Sequence, residues 1–276
     1  MSRMLIALDI DGTILGHDGI IPRSVYAEVD RLRDAGHEVM IATGRSFFDA
    51  KPIHDKLGLT SDYIVCANGA CTMKRDPSAP EGYSPDRLET FDATDVLKRL
   101  HVELGEAHYA VETPTFEFLY AGGLFPEATF EAVGREVPFQ DLLDLEVMRV
   151  VVVAPNREVG EFMDIVERSG LHQVSYSVGW TSWLDIAPDG VNKATALEYV
   201  RENLGVPRTD VFAIGDGRND IEMLEWAGAE GWSVAMGQAP QEVFDAADSI
   251  TSYQEDDGLA EALKKLPRAA AAVPSS

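Results

Sequence analysis

Met4-Leu5-Ile6-Ala7-Leu8-Asp9-Ile10-Asp11-Gly12-Thr13 is an apolar run that ends abruptly in two aspartates and a glycine. An unbroken apolar stretch of this length is expected of a strand covered on both faces, as in a parallel sheet. Ligands of such sheets bind at the carboxyl ends of the strands, where Asp9 and Asp11 stand here. If the strand persisted through them, both side chains would point the same way, because strand periodicity is two. Paired carboxylates repel, and a bound cation relieves that repulsion. An aspartate beside a divalent cation can attack phosphorus, and a carboxylate two residues on can act as acid and base. Gly12 would let backbone approach a phosphate. The plain alternative is an Asp-Gly turn closing a strand.

Outward from this stretch, strand and helix alternate. Pro22 to Ala35 places Val25, Val29 and Leu32 on one helical face, and Gly36 stops it. Val39 to Ala42 is a second buried strand, Ser46 to Leu57 a helix closed by Gly58, and Tyr63 to Ala67 a third strand. The order βαβαβ predicts a parallel sheet. The chain returns to this style late. Helices are expected over Asn192–Leu204, Asp220–Ala227, Pro240–Ala246 and Leu259–Leu266, with strands over Val211–Ile214, Trp232–Ala235 and Ser249–Thr251.

The middle reads differently. Phe91 to Leu104 is expected to be helical, followed by two strands around Pro114-Thr115, with Phe116, Phe118 and Tyr120 alternating. Glu146 to Val153 reads as a strand and Glu158 to Ser169 as a helix. Gln173–Val178 and Ser182–Ile186 form a hairpin around Gly179-Trp180, in which Trp180 and Trp183 are expected in the core. The fold class is therefore α/β: a Rossmann-like parallel-sheet core over 1–83 and 187–267, with an α+β cap inserted over 84–186. The alanine-rich end, 268–276, is expected to be disordered.

Three further strand ends carry polar residues. Thr43-Gly44-Arg45 offers a hydroxyl and helix-start N–H groups suited to a phosphate oxygen, or a simple N-cap. Lys193 begins a helix, against the dipole preference, where a lysine is ordinarily a solvated charge. Gly215-Asp216-Gly217-Arg218-Asn219-Asp220 is another acidic cluster that can supply hard oxygen ligands or merely cap the next helix.

The order and spacing of these motifs resemble the haloacid dehalogenase superfamily. With Ala67-Asn68-Gly69-Ala70 and Asp257-Gly258-Leu259, the chain resembles its Cof-type branch of phosphatases. That resemblance implies Asp9 as nucleophile and Asp11 as acid and base. It implies Mg²⁺ (or Mn²⁺) held by Asp9, the Asp11 backbone carbonyl and Asp216, with Asp220 supporting. Thr43 and Lys193 would bind the phosphoryl group and Asn219 would place it. Gly12, Gly44, Arg45 and Asn68 complete the expected substrate contacts. A phosphosugar mutase of the same superfamily would carry identical motifs. A signalling receiver shares clustered aspartates but lacks the second aspartate on the strand and the large insertion. A ligand-binding pseudo-enzyme is disfavoured because no motif residue is missing.

Composition narrows the partners. The 276 residues carry 47 acids against 23 bases, a net charge of −24, which repels nucleic acid and anionic membranes. The same charge repels a free phosphate ester, so a phosphate site demands local cations. No apolar run approaches the roughly 20 residues of a membrane helix, and the start is expected to carry no targeting segment, so a cytoplasmic location follows by default. Cys66 and Cys71, the sole cysteines, fit no zinc spacing and are expected to be reduced and buried. The expected partner is a small phosphorylated metabolite; its identity and the oligomeric state stay open.

Overall fold

The computed structural model describes residues 3–16, 18–123, 134–169, 171, 174–178 and 182–267. The expected tail at 268–276 and Trp180 lie outside them. The chain begins β1 (Leu5–Leu8), α1 (Arg23–Asp34), β2 (Glu38–Ile41), α2 (Phe47–Lys56), β3 (Tyr63–Cys66), β4 (Cys71–Arg75) and β5 (Tyr83–Leu88). It continues through β6 (Phe91–Asp92), α3 (Thr94–Leu104), β7 (His108–Glu112), β8 (Phe118–Ala121), β9 (Gly134–Glu136), β10 (Glu146–Val147), β11 (Arg149–Val153), α4 (Val159–Arg168), β12 (Val174–Val178) and β13 (Trp183–Pro188). It closes with α5 (Lys193–Leu204), β14 (Val211–Gly215), α6 (Ile221–Gly228), β15 (Trp232–Ala235), α7 (Gln241–Ala246), β16 (Ser249–Ile250) and α8 (Gly258–Lys264).

Two compact units result: 1–42, 52–64 and 197–276 form one, and 43–51 with 65–196 the other. The expected cap segment, 84–186, falls inside the second unit, which also takes in 43–51, 65–83 and 187–196.

The first unit is a parallel sheet in the order β16-β15-β14-β1-β2. Every residue of β1, β2 and β14 is buried. Such strands need cover on both faces, which explains their unbroken apolar reading. Helix α1 buries Val25, Val29 and Leu32, the three positions its periodicity predicts. The guanidinium of Arg31 on α1 donates to the Leu263 carbonyl of α8 at 2.7 Å, tying the ends of the chain together. The order of strands matters for chemistry: β1 lies beside β14, so their carboxyl ends adjoin.

One expectation fails here. The βαβαβ reading puts β3 in the parallel sheet, but it belongs to a separate three-stranded sheet, β3-β4-β5. Its four residues are buried, as its apolar run requires, yet burial does not choose the hydrogen-bonding partner. Two smaller corrections concern the middle. Phe116 leaves the strand alternation, because its φ of 63° places it in the turn between β7 and β8. Glu146 to Val153 divides at Met148: β10 pairs with β6, and β11 joins the larger sheet.

The second unit holds a six-stranded sheet, β12-β13-β11-β7-β8-β9. Strand periodicity of two sorts its side chains. Tyr109, Val111, Leu119, Val150, Val152, Leu184 and Ile186 pack with Leu97, Leu100 and Leu104 of α3 and Phe162 and Ile165 of α4 in one core. The opposite face is smaller and mixed: Ala110, Val151 and Val153 cluster with half-buried Tyr120 and Trp183. Register puts Glu112, Arg149 and Asp185 on that same opposite face, since Arg149 stands across from Glu112 and Val151 across from Asp185. Cys66 and Cys71 are buried and unbridged.

Candidate active site

In the first unit, β1 ends at Leu8, one residue before Asp9. The Asp9 N–H still donates to the Ile214 carbonyl of β14 at 3.1 Å, which extends the ladder and fixes Asp9 beside the β14 end. Asp9, Asp216 and Asp220 are all buried, and each offers a carboxylate oxygen within 4.8 Å of the others. Asp220 is held by backbone: its Oδ2 accepts the Asp216 N–H at 3.0 Å and the Gly217 N–H at 2.9 Å. Buried carboxylates this close repel strongly unless a cation joins them. Three hard oxygens converging within that span suit Mg²⁺, which coordinates at about 2.1 Å and keeps several waters. The donor set contains no sulfur or imidazole, so zinc or copper is a poorer match.

The turn after β1 explains the glycines. Gly12 has φ 76°, and a Cβ there would overlap the Asp216 carboxylate. A Cβ on Gly215 would likewise overlap Asp220. Both glycines therefore allow carboxylates to approach backbone. Asp11 does not join the buried trio. The strand does not persist to it, and its side chain is exposed. It stands instead in an isolated bridge with Leu15. Asn219 is half-buried in the loop after β14, beside Gly217. Gln238 is a site residue that the sequence reading misses: its Nε2 donates to Asp216 Oδ2 at 3.1 Å and to the Gly12 carbonyl. It comes after β15, so the rule that strand ends carry ligands would have found it.

In the second unit, Thr43 is fully buried. Its N–H donates to the Val65 carbonyl at 3.0 Å and its carbonyl accepts the Asn68 N–H at 3.0 Å. Its hydroxyl accepts the Arg45 N–H at 3.1 Å across Gly44, and the Arg45 carbonyl in turn accepts the Ala67 N–H at 2.8 Å. Thr43 is thus not the cap of α2; Ser46 takes that part through the Asp49 N–H at 3.3 Å. Ala67, Asn68 and Gly69 carry φ of 48°, 51° and 101°, a strained run that turns the chain sharply after β3. A Cβ on Gly69 would overlap the Asn192 carbonyl, so this turn packs on the start of α5. Lys193, the first residue of α5, is 0% exposed. A buried ammonium at a helix start excludes the solvated-charge alternative, because such burial requires a purpose-built polar setting.

Fold and site together define a class. The chain belongs to the haloacid dehalogenase-like hydrolases, whose family model matches residues 6–263. It is a phosphoric monoester hydrolase of the Cof-type branch. It is 32% identical to the 5-amino-6-(5-phospho-D-ribitylamino)uracil phosphatase YitU of Bacillus subtilis, over 95% of this chain and 96% of that protein. It is 28% identical to an HMP-PP phosphatase of Serratia proteamaculans, over 85% of this chain and 84% of that protein. A solved haloacid dehalogenase-like hydrolase from B. subtilis, 24% identical, superposes with a TM-score of 0.79 over 96% of this chain and all of that one.

Proposed function

We propose that this chain is a Mg²⁺-dependent phosphatase that hydrolyses a small phosphorylated metabolite, a sugar phosphate first, through an aspartyl-phosphate on Asp9. The observation that carries this is the buried trio of Asp9, Asp216 and Asp220 at the joined ends of β1 and β14. Asp9, the Asp11 carbonyl and Asp216 would hold the metal, with Asp220 fixing the loop and supporting them. When bound, Mg²⁺ neutralises charge on the phosphoryl oxygens.

The remaining steps belong to the chain. An Asp9 oxygen attacks phosphorus, the bond to the leaving oxygen breaks, and Asp11 gives that oxygen a proton. Asp11 then takes a proton from water, the water oxygen attacks phosphorus, and inorganic phosphate leaves with Asp9 restored. The exposure of Asp11 suits a group that must exchange protons with substrate and water. Thr43 and Lys193 bind the phosphoryl oxygens and Asn219 positions them, with Gly12, Gly44, Arg45 and Asn68 as supporting substrate contacts. Segment 84–186 is the cap that reads the leaving group. The ribityl phosphate named for YitU supports a polyhydroxylated substrate, while the HMP-PP relative keeps other organic phosphates in view.

The test is phosphate release from a panel of phosphorylated metabolites, with Mg²⁺ and with EDTA, by wild type and Asp9→Asn. Release that needs both the metal and Asp9 is expected, with a loss above about 1000-fold in the variant and little change in Tm. Mg²⁺ binding without release from any compound would contradict the proposal, and release only with an added sugar bisphosphate would favour the mutase.

A further inference from the structure

Glu112, at the end of β7, is 1% exposed, and neither of its carboxylate oxygens has a hydrogen-bond partner among the described residues. Its nearest cation reaches it without a hydrogen bond. Arg149 on β11, itself 5% exposed, gives its Nε to Asp185 Oδ1 at 2.6 Å and leaves Nη1 at 3.9 Å from Glu112, beyond hydrogen-bond reach. Asp185 on β13 is occupied on its other oxygen by the Trp183 indole at 3.0 Å. Three other elements bring acidic groups towards Glu112: α2 brings Asp49, and β3 and β4 bring the thiols of Cys66 and Cys71. β8 places Phe118, which does not titrate, opposite it. The hairpin tip just beyond Glu112 is packed on α2, where Phe116 meets Phe48 edge-on at 5.8 Å.

An ionised carboxylate sealed away without donors is among the costliest groups to bury. Both oxygens are sealed from bulk solvent in this packing. The protonated acid is the form that fits, because it carries no net charge into the seal. Burial indeed pushes the Glu112 carboxyl up to about 7; Arg149 opposes that rise, and Asp49 and Asp185 add to it.

We infer that Glu112 is a proton-operated latch: protonated, it seats this face of the six-stranded sheet on α2 and β3; ionised, it releases the seat. Release gives the carboxylate water and parts it from Asp49. The inference rests on the proposed function only for its consequence, that opening and product release quicken as pH rises from about 5 to neutrality.

Hydrogen exchange of the amides in 47–51, 63–66 and 108–118 tests this without reference to activity. After correction for intrinsic exchange, the opening constant of wild type should rise about tenfold per pH unit between about pH 5 and 7, then level off. In Glu112→Gln it should be flat, and Glu112→Leu, also unable to titrate, should agree. A flat wild-type profile overturns the latch, and so does the same rise in either variant. The phosphate-release panel fails or succeeds independently of this result.

Discussion

Gly12 shows how a single residue sets the site. Its φ of 76° costs any other residue, and the Asp216 carboxylate occupies the space its Cβ would need. Gly12→Ala should therefore lose about 2 kcal/mol of stability or more and weaken Mg²⁺-dependent turnover at least about tenfold, measured by Tm and kcat/KM. A full retention of both would mean that the turn does not support the carboxylates. At this scale the sequence is informative where chemistry and position coincide. Asp9 and Asp216 are legible because each comes directly after a buried apolar run. The depth of Lys193 is not, since a lone lysine at a helix start looks the same whether it is solvated or sealed; only its 0% exposure separates the two. Glu112 is invisible for a similar reason, because its oddity is that no described residue hydrogen-bonds its carboxylate, and not any neighbour in sequence.

Elements are legible where hydrophobic period suffices. The burial of Val25, Val29 and Leu32 on α1 accords with helical spacing, and that of β1 and β14 with continuous apolar runs. β4 and β5 escape a sequence reading because charged residues, Lys74, Arg75, Asp86 and Arg87, lie on their exposed positions and blur the pattern. The pairing of β3 escapes it too, because an apolar run reports burial but not its neighbour. The turn after β3 is where this matters, since it brings Gly69 against the Asn192 carbonyl. Gly69→Ala should cost about 3 kcal/mol, from both strain at φ 101° and overlap with rigid backbone. Gly190→Ala is the control: its φ is 70°, but nothing lies within 4 Å of the added Cβ, so only about 1 kcal/mol is expected. Denaturant unfolding of the two variants checks the difference, and equal losses would remove the packing explanation.

For the whole molecule, charge is the main constraint. A chain of net charge −24 repels phosphate esters, so the attraction must be local. The buried acids at the ends of β1 and β14 offer ligands to such a cation, and in the second unit Lys193 carries a buried positive charge. No helix among the described residues is long and apolar enough to cross a membrane. The α/β class and the insertion of a second sheet are legible from element order. By contact, 43–51 and 65–83 group with 84–196 in the second unit. The central claim is that Asp9 carries the phosphoryl group, and it is tested most directly in Asp11→Asn. p-Nitrophenolate leaves p-nitrophenyl phosphate without needing an acid, so this variant should still be phosphorylated but should hydrolyse slowly. Mass spectrometry after brief mixing with that ester and Mg²⁺ should find one added phosphoryl group, mapped to Asp9 and missing with EDTA. Release of p-nitrophenol with Asp9 unmodified, or a phosphoryl group mapped elsewhere, would contradict the account.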